Sequence, residues 1–384
     1  MQKGYPVIHV KYNTTKRSFE ITQKRYLTTP DDTDKSTWFI PLNYATANNA
    51  NFENTTITDY FKPEETIKII STSLDFNPNN WFIFNKQGLG YYRVNYDFEN
   101  WHQIIKTLNS GNYQNINVLN RAQLLDDAFH FAADGYLDFD IVLGLVQYLH
   151  RETDYLPWAV ATTGLNKLDV QLQGTPAHDK FNKYVYHLME RMYAKYGFVE
   201  NANDTIFDQF GRELAITWFC KLGDSKCLLY TSLQVTLFQE SGKTFSKSVE
   251  VAVICGGLRS HYSTPSEWNA LFKVMQASTD QALRLRFIDS LGCSEESSIL
   301  KNYLKSTVDE SSDVNYRQHE KSRLLSVVYT SSSAGLVAAL DFISENHDEI
   351  VSSYAIGSMN SILIAMSKRI VMPEHEAKVS SLSV

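Results

Sequence analysis

The stretch Asn80–Asp97, Asn-Trp-Phe-Ile-Phe-Asn-Lys-Gln-Gly-Leu-Gly-Tyr-Tyr-Arg-Val-Asn-Tyr-Asp, constrains the fold more than any other part of this chain. Apolar residues before it recur at every second position, and those after it recur at helical spacing. Within it, Trp81, Phe82, Ile83 and Phe84 form one apolar run, and Tyr91, Tyr92, Val94 and Tyr96 form another. Gly88 and Gly90 lie between the runs, where a turn needs positive φ. The pattern predicts a hairpin that closes a β-region at the point where a helical region begins.

Upstream, the strand signals are Pro6–Val10, Ser18–Thr22 with Phe19 and Ile21 on one face, and Thr37–Tyr44 with Trp38, Ile40, Leu42 and Tyr44 on one face. Thr66–Ser71 adds Ile67, Ile69 and Ile70, and polar turns fall at Thr29–Asp32 and Asn48–Asn54. Short strands with such turns predict a small β-sandwich. Downstream, Asn120 with Gln123 three residues on predicts a helix cap, and Leu124, Leu125, Ala128, Phe129 and Ala132 form its apolar stripe, ended by Gly135. Asp138 opens the next helix, with Ile141, Leu143, Leu145, Val146 and Leu149 as its apolar set. Thr175-Pro176 and Thr264-Pro265-Ser266-Glu267 predict two more helix starts. Further helices are expected at 213–222, 228–239, 281–291, 295–305, 319–329, 333–345 and 358–370. The expected fold is therefore α+β and multidomain. A β-sandwich occupies residues 1–97, and a large α-superhelical domain of paired, HEAT- and armadillo-like helices occupies 98–384, without a sharp repeat period.

Composition narrows the function classes. With 36 Lys and Arg against 43 Asp and Glu, the formal charge is −7, and no basic run occurs. That argues against nucleic acid as a partner. No apolar stretch approaches the ~20 residues that a membrane helix needs, and Met1–Pro6 does not read as a signal peptide. Four cysteines, Cys220, Cys227, Cys255 and Cys293, permit two disulfides in any of three connectivities, or four buried thiols. Sequons occur at Asn13, Asn54 and Asn203, no more than a chain this rich in Asn, Ser and Thr produces by chance. Arg93, Asn95, Arg121, Asp126 and Asp127 read as structural groups at a domain junction. Arg121 is expected to pair with an acidic neighbour and Asp127 to accept from a nearby loop. His102 and His130 are expected to pack on apolar faces.

These residues also carry a resemblance. Gly90-Tyr91-Tyr92-Arg93-Val94-Asn95-Tyr96-Asp97 and Asn120-Arg121-Ala122-Gln123-Leu124-Leu125-Asp126-Asp127-Ala128 resemble two successive signatures of the aminopeptidase N family of gluzincin zinc aminopeptidases. Gly4-Tyr5-Pro6-Val7-Ile8 resembles the start of that family's β-sandwich. Trp218-Phe219-Cys220 with Cys227, and Cys255 with Cys293, match two family disulfides. Five motifs in order span nearly the whole chain, and Tyr155-Leu156-Pro157-Trp158 is most similar to the insect midgut branch.

The resemblance implies disulfides Cys220–Cys227 and Cys255–Cys293, an extracellular or cell-surface location, and glycans at the sequons. It also implies a lipid-anchored parent and a helical domain that stops short of the family's end. Family catalysis uses His-Glu-x-x-His and Gly-x-Met-Glu-Asn, and neither is here. His375-Glu376 begins like the first motif, but Val379 replaces its second histidine, and Gly357-Ser358-Met359-Asn360 lacks the glutamate of the second. The expected function is thus the non-catalytic C-terminal region of a zinc metalloaminopeptidase, with its helical domain capping the active-site chamber. No catalytic residue, metal ligand or cofactor is expected in this chain. Zinc belongs to the parent, and peptide substrate is reached through the missing catalytic domain. Two alternatives differ in class: a docking module or receptor for a protein such as a toxin or virus, and a natural non-catalytic scaffold.

Overall fold

The structure is a computed structural model that describes residues 4–28, 33–74, 76–309 and 313–381. The turn expected at Thr29–Asp32 and the last three residues lie outside them. The chain is mostly helical with a small β-region at its N-terminal end, and it divides into two compact units, Met1–Asn166 and Lys167–Val384.

The strands of the first unit are β1 (Pro6–Asn13), β2 (Ser18–Arg25), β3 (Ile40–Leu42), β4 (Tyr44–Thr46), β5 (Asp59–Phe61), β6 (Lys68–Ser71), β7 (Phe82–Phe84) and β8 (Arg93–Tyr96). One sheet has the order β6-β2-β1-β8, and β3–β5 and β4–β7 form two-stranded ladders. Strands β1 and β2 pair antiparallel from Pro6 opposite Arg25 to Asn13 opposite Ser18. Alternation then turns Ile8, Val10, Phe19 and Ile21 inward, where all four are fully buried. The Phe19 ring lies 5.2, 4.7 and 5.3 Å from the rings of Tyr44, Phe82 and Phe84, so the sheet packs on the β4–β7 ladder. Each such side chain contributes roughly 1.5–3 kcal/mol by leaving water.

The expected hairpin does not form. β7 pairs antiparallel with β4, and β8 pairs parallel with β1. The cause lies between them. Asn85 and Gln87 both take left-handed backbone angles, with φ of 63° and 55°, around a short 3-10 turn at Lys86–Gly88. The Asn85 side chain accepts from the Gly90 N–H at 2.7 Å and donates to the carbonyls of Gly90 and Tyr92 at 2.9 and 3.2 Å. This knot turns the chain out of one ladder and into another sheet. Gly88 has the positive φ expected of it, 65°. Gly90 serves differently, because a Cβ there would lie 2.2 Å from the Tyr92 ring. Ile67 and Ile69 are also not core residues. Both are 52% exposed, since β6 is an edge strand that pairs only with β2.

Four helices follow: α1 (Phe98–Leu108), α2 (Val118–Ala133), α3 (Phe139–Val146) and α4 (Tyr155–Leu172), the last running on into the second unit. Asp97 ends β8 and at once caps α1, accepting from the N–H groups of Asn100 at 2.9 Å and Tyr12 at 3.0 Å. The Asn100 amide bonds both backbone groups of Phe82, at 3.0 and 2.9 Å, and so fastens α1 to β7. Asn117, not Asn120, caps α2. Leu143 and His102 are exposed rather than packed, and His102 instead lies 2.8 Å from the Phe98 carbonyl.

The second unit holds α5 (His178–Tyr196), α6 (Ile206–Lys221), α7 (Ser225–Ser241), α8 (Glu250–Arg259), α9 (Pro265–Ala277), α10 (Gln281–Leu291), α11 (Ser297–Lys305) and α12 (Gln318–Ser331). It ends with α13 (Ser333–Glu345), α14 (His347–Ser353), α15 (Ile356–Ser367) and α16 (Pro373–Ser381). Thr264 and Glu267 form the expected capping box at α9. Thr175 caps nothing; α5 begins after Ala177, and the Thr175 hydroxyl donates to the Leu172 carbonyl. One core from Val235 to Met366, including Trp268, Phe287, Tyr303 and Leu340, joins the helices from α7 onward.

Candidate functional site

A dense polar constellation forms where β8 meets α2. Strand β8 presents Arg93, and the middle of α2 presents Asp126 and Asp127 on successive positions. The Arg93 guanidinium spans the gap. It donates to both carboxylates, to Asp127 at 2.7 Å, and to the Tyr5 hydroxyl at 3.0 Å. The rings of Tyr5 and Tyr26 flank its cationic face at 5.7 and 5.4 Å. Asp127 also accepts from the Val94 N–H at 3.1 Å, so one carboxylate fixes both the side chain and the backbone of β8. His130, one turn on, approaches Asp126 at 3.3 Å. Tyr26 donates to Asp134 at the end of the same helix. An open cleft beside this cluster is lined by Tyr5, Gly90, Tyr91, Gln123 and Asp126 among others. Its cationic position is already filled by Arg93.

Burial pushes the Asp127 carboxyl up to about 7, against the pull of Arg93 and the Val94 N–H. Burial also opposes ionisation of Asp126, but His130 and Arg93 hold it below the usual carboxylate range. The bond to Asp126 raises His130. An unfolded Asp titrates near ~4, so between that value and about 7 the folded chain holds the extra proton at Asp127, and stability falls as pH rises. His130 adds to the fall, because its contribution is complete below its unfolded value and is lost as pH rises through its folded one. Asp126 acts oppositely, and its contribution is lost only in acid. We expect Asp127→Asn to flatten the decline in the thermal midpoint of the first unit between about pH 5 and about pH 7. An unchanged slope would place that titration elsewhere.

The other junction residues are equally occupied. Asn95 accepts from the indole N–H of Trp101 at 2.9 Å. Arg121 donates to Glu152 at 2.7 and 3.3 Å, to Asp154 at 2.7 Å and to the Ile116 carbonyl at 2.8 Å. Sequence reasoning missed Glu152, Asn85 and Lys86. Each is a polar residue in a loop with no periodic signal, and each is nearly sealed from solvent.

In the second unit, Cys220 and Cys227 are disulfide-bonded across the α6–α7 turn, and Cys255 on α8 is bonded to Cys293 just beyond α10, with Cα separations of 5.2 and 5.1 Å. Basic side chains also gather at helix C-termini. Arg259 and Arg369 donate to the carbonyls of Ser331 and Thr330 at 3.1 and 3.0 Å, and Lys221 at the end of α6 lies 2.9 Å from Asp169. The two arginines thus satisfy carbonyls at the negative end of α12, and Lys221 pairs with a carboxylate.

The described residues do not fit a zinc site. No three His, Cys, Asp or Glu side chains among them converge as metal donors. His375 is fully buried on α16, with Nε2 3.1 Å from the Ser333 hydroxyl. The arrangement binds secondary structure together.

Comparison with known proteins places the chain among aminopeptidase relatives. Aminopeptidase N of Plutella xylostella is 31% identical over 385 residues, covering 100% of this chain and 40% of that protein. Membrane alanyl aminopeptidase of Manduca sexta is 27% identical over 354 residues, covering 90% of this chain and 34% of that protein. Thyrotropin-releasing hormone-degrading ectoenzyme of Homo sapiens is 29% identical over 321 residues, with 79% and 29% covered. The chain therefore spans well under half the length of these relatives. A model of the ERAP1-like C-terminal domain matches residues 81–382, from the start of β7 through α16. The chain belongs to the ERAP1-like C-terminal domain family.

Proposed function

We propose that this chain is the non-catalytic C-terminal region of a zinc aminopeptidase that removes N-terminal residues from peptides, its helical domain capping the chamber where the peptide is cut. The observation that carries this reading is the match along the whole chain to 40% of an aminopeptidase N, joined to a family model of a C-terminal domain. Zinc chemistry would lie in the parent's catalytic region, outside the 40% of the aminopeptidase N that this chain matches. The two disulfides fit an extracellular or cell-surface setting, where such bonds persist. The purified chain, with or without added zinc, is expected to leave an aminoacyl chromogenic substrate uncleaved. Grafted in place of the corresponding region of the Plutella xylostella protein, it is expected to support hydrolysis. Hydrolysis by the chain alone with stoichiometric bound zinc overturns the proposal.

A further inference from the structure

Three sequons share one chemical signal but stand in three different environments. In Asn13-Thr14-Thr15, at the β1–β2 turn, the asparagine amide is already used. Its Nδ2 donates to Glu20 at 2.9 Å and its Oδ1 accepts from the Lys16 N–H at 2.9 Å. In Asn203-Asp204-Thr205, the asparagine is exposed but the threonine is not available. Thr205 caps α6, its hydroxyl donating to the Asp208 carboxylate at 2.6 Å and accepting from the Asp208 N–H at 3.2 Å. Asp204 is drawn inward by Arg212.

Asn54-Thr55-Thr56 differs from both. Asn54 is exposed on the loop between β4 and β5. Its Oδ1 accepts from the Thr56 N–H at 3.1 Å, an Asx turn that brings the threonine alongside the amide. Among the described residues, neither the Asn54 Nδ2 nor the Thr56 hydroxyl has a bonding partner. The loop beneath is fixed. Buried Lys86 donates to the carbonyls of Asn51 and Asn54, and Asn43 donates to the Thr55 carbonyl at 2.8 Å. Asn54 is therefore held outward on a fixed base, with its Nδ2 and the Thr56 hydroxyl both unbonded among the described residues.

We propose that Asn54 is the principal N-glycan attachment site of this chain, and that the fold disfavours Asn13 and Asn203. The proposal rests on the extracellular reading above, since the donor is a lipid-linked oligosaccharide diphosphate of the secretory pathway. In the transfer, Nδ2 of Asn54 bonds to the anomeric carbon of the sugar as the carbon–oxygen bond to the diphosphate breaks, and the lipid diphosphate leaves with the proton that Nδ2 gives up in the net reaction. Attachment at Asn54 costs the fold no hydrogen bond, whereas at Asn13 it would replace one of the two hydrogens of the nitrogen that donates to Glu20 and crowd that contact.

The test supplies its own route to that compartment, so it does not depend on where the natural parent resides. The chain is expressed behind a heterologous secretion signal in insect cells, recovered from the medium, and mapped by peptide mass spectrometry after enzymatic glycan release, which converts an occupied Asn to Asp. The expected result is high occupancy at Asn54, low occupancy at Asn13 and Asn203, and loss of most of the glycosidase-sensitive mobility shift in both Asn54→Gln and Thr56→Ala. Thr55→Ala, at the unconstrained middle position, keeps the shift. Secreted chain with Asn54 unoccupied, or with Asn13 or Asn203 occupied at least as fully, overturns the proposal.

Discussion

Replacing Glu152 with alanine is expected to cost the first unit about 3–5 kcal/mol, enough to remove a large share of a typical domain's stability. Glu152 is 0% exposed and Arg121, its partner, 3%. The carboxylate takes two hydrogen bonds from the guanidinium and accepts from the N–H groups of Thr153 and Asp154, both at 3.0 Å. The indole of Trp158, also sealed from solvent, donates to the Glu152 carbonyl at 2.9 Å. The pair thus fixes the first turn of α2, the loop before α4 and the first turn of α4 at one point. Truncation leaves a guanidinium without its buried partner, and Asp154, half exposed, cannot replace it. The energy arises mainly from the orphaned charge, not from the pair's net worth, so Arg121→Met combined with Glu152→Met should recover most of the loss. Chemical denaturation of the chain, following the transition of the first unit, measures both. A loss below about 1 kcal/mol would mean that the pair behaves as an exposed one.

The same residues show where the sequence was legible and where it was not. Helices α10 and α13 have the expected limits, 281–291 and 333–345, because polar residues stand at their starts: Asp280 accepts from the Ala282 N–H, and Ser332 from the Gly335 N–H. Such signals are local, and a local rule can read them. At α2 the same rule misplaced the start by three residues. Asn120 and Gln123 do bond, at 2.9 Å, but Asn120 also reaches the Asn85 carbonyl at 3.0 Å and the Gln87 N–H at 2.8 Å. Its side chain serves the knot after β7, and Asn117 is the cap. The hairpin failed for a related reason. Two aromatic runs separated by glycines do not say which strand each will join. That choice belongs to β1, which lies 86 positions from its parallel partner in the pairing of Val7 with Arg93. Of the junction set, Arg93, Arg121, Asp126 and Asp127 stood out as charges in apolar surroundings. Glu152 did not, because a loop carries no period that makes a buried carboxylate conspicuous.

Removing the Cys255–Cys293 bridge by a double alanine substitution is expected to destabilise the second unit by about 4 kcal/mol, against about 2.5 kcal/mol for Cys220–Cys227, on the loop-closure argument. The difference comes from separation, 38 residues against 7, because the longer loop takes more freedom from the unfolded chain. Packing pulls the other way. Cys220 and Cys227 are almost wholly buried, and a Cβ at Gly256 of α8 would lie 2.6 Å from the Cys220 sulfur. Cys255 precedes Gly256, so α8 is bonded on one side to the end of α10 and pressed on the other against the α6–α7 bridge. Next to it, a Cβ at Gly257 would lie 2.9 Å from the Thr231 carbonyl oxygen, which sets how closely α7 and α8 approach. If loop entropy dominates, denaturation shows the larger loss for the Cys255 and Cys293 pair. If the order reverses, contact at Gly256 rather than chain closure sets the stability of this unit, and the shorter bridge is the one that holds α8 in place.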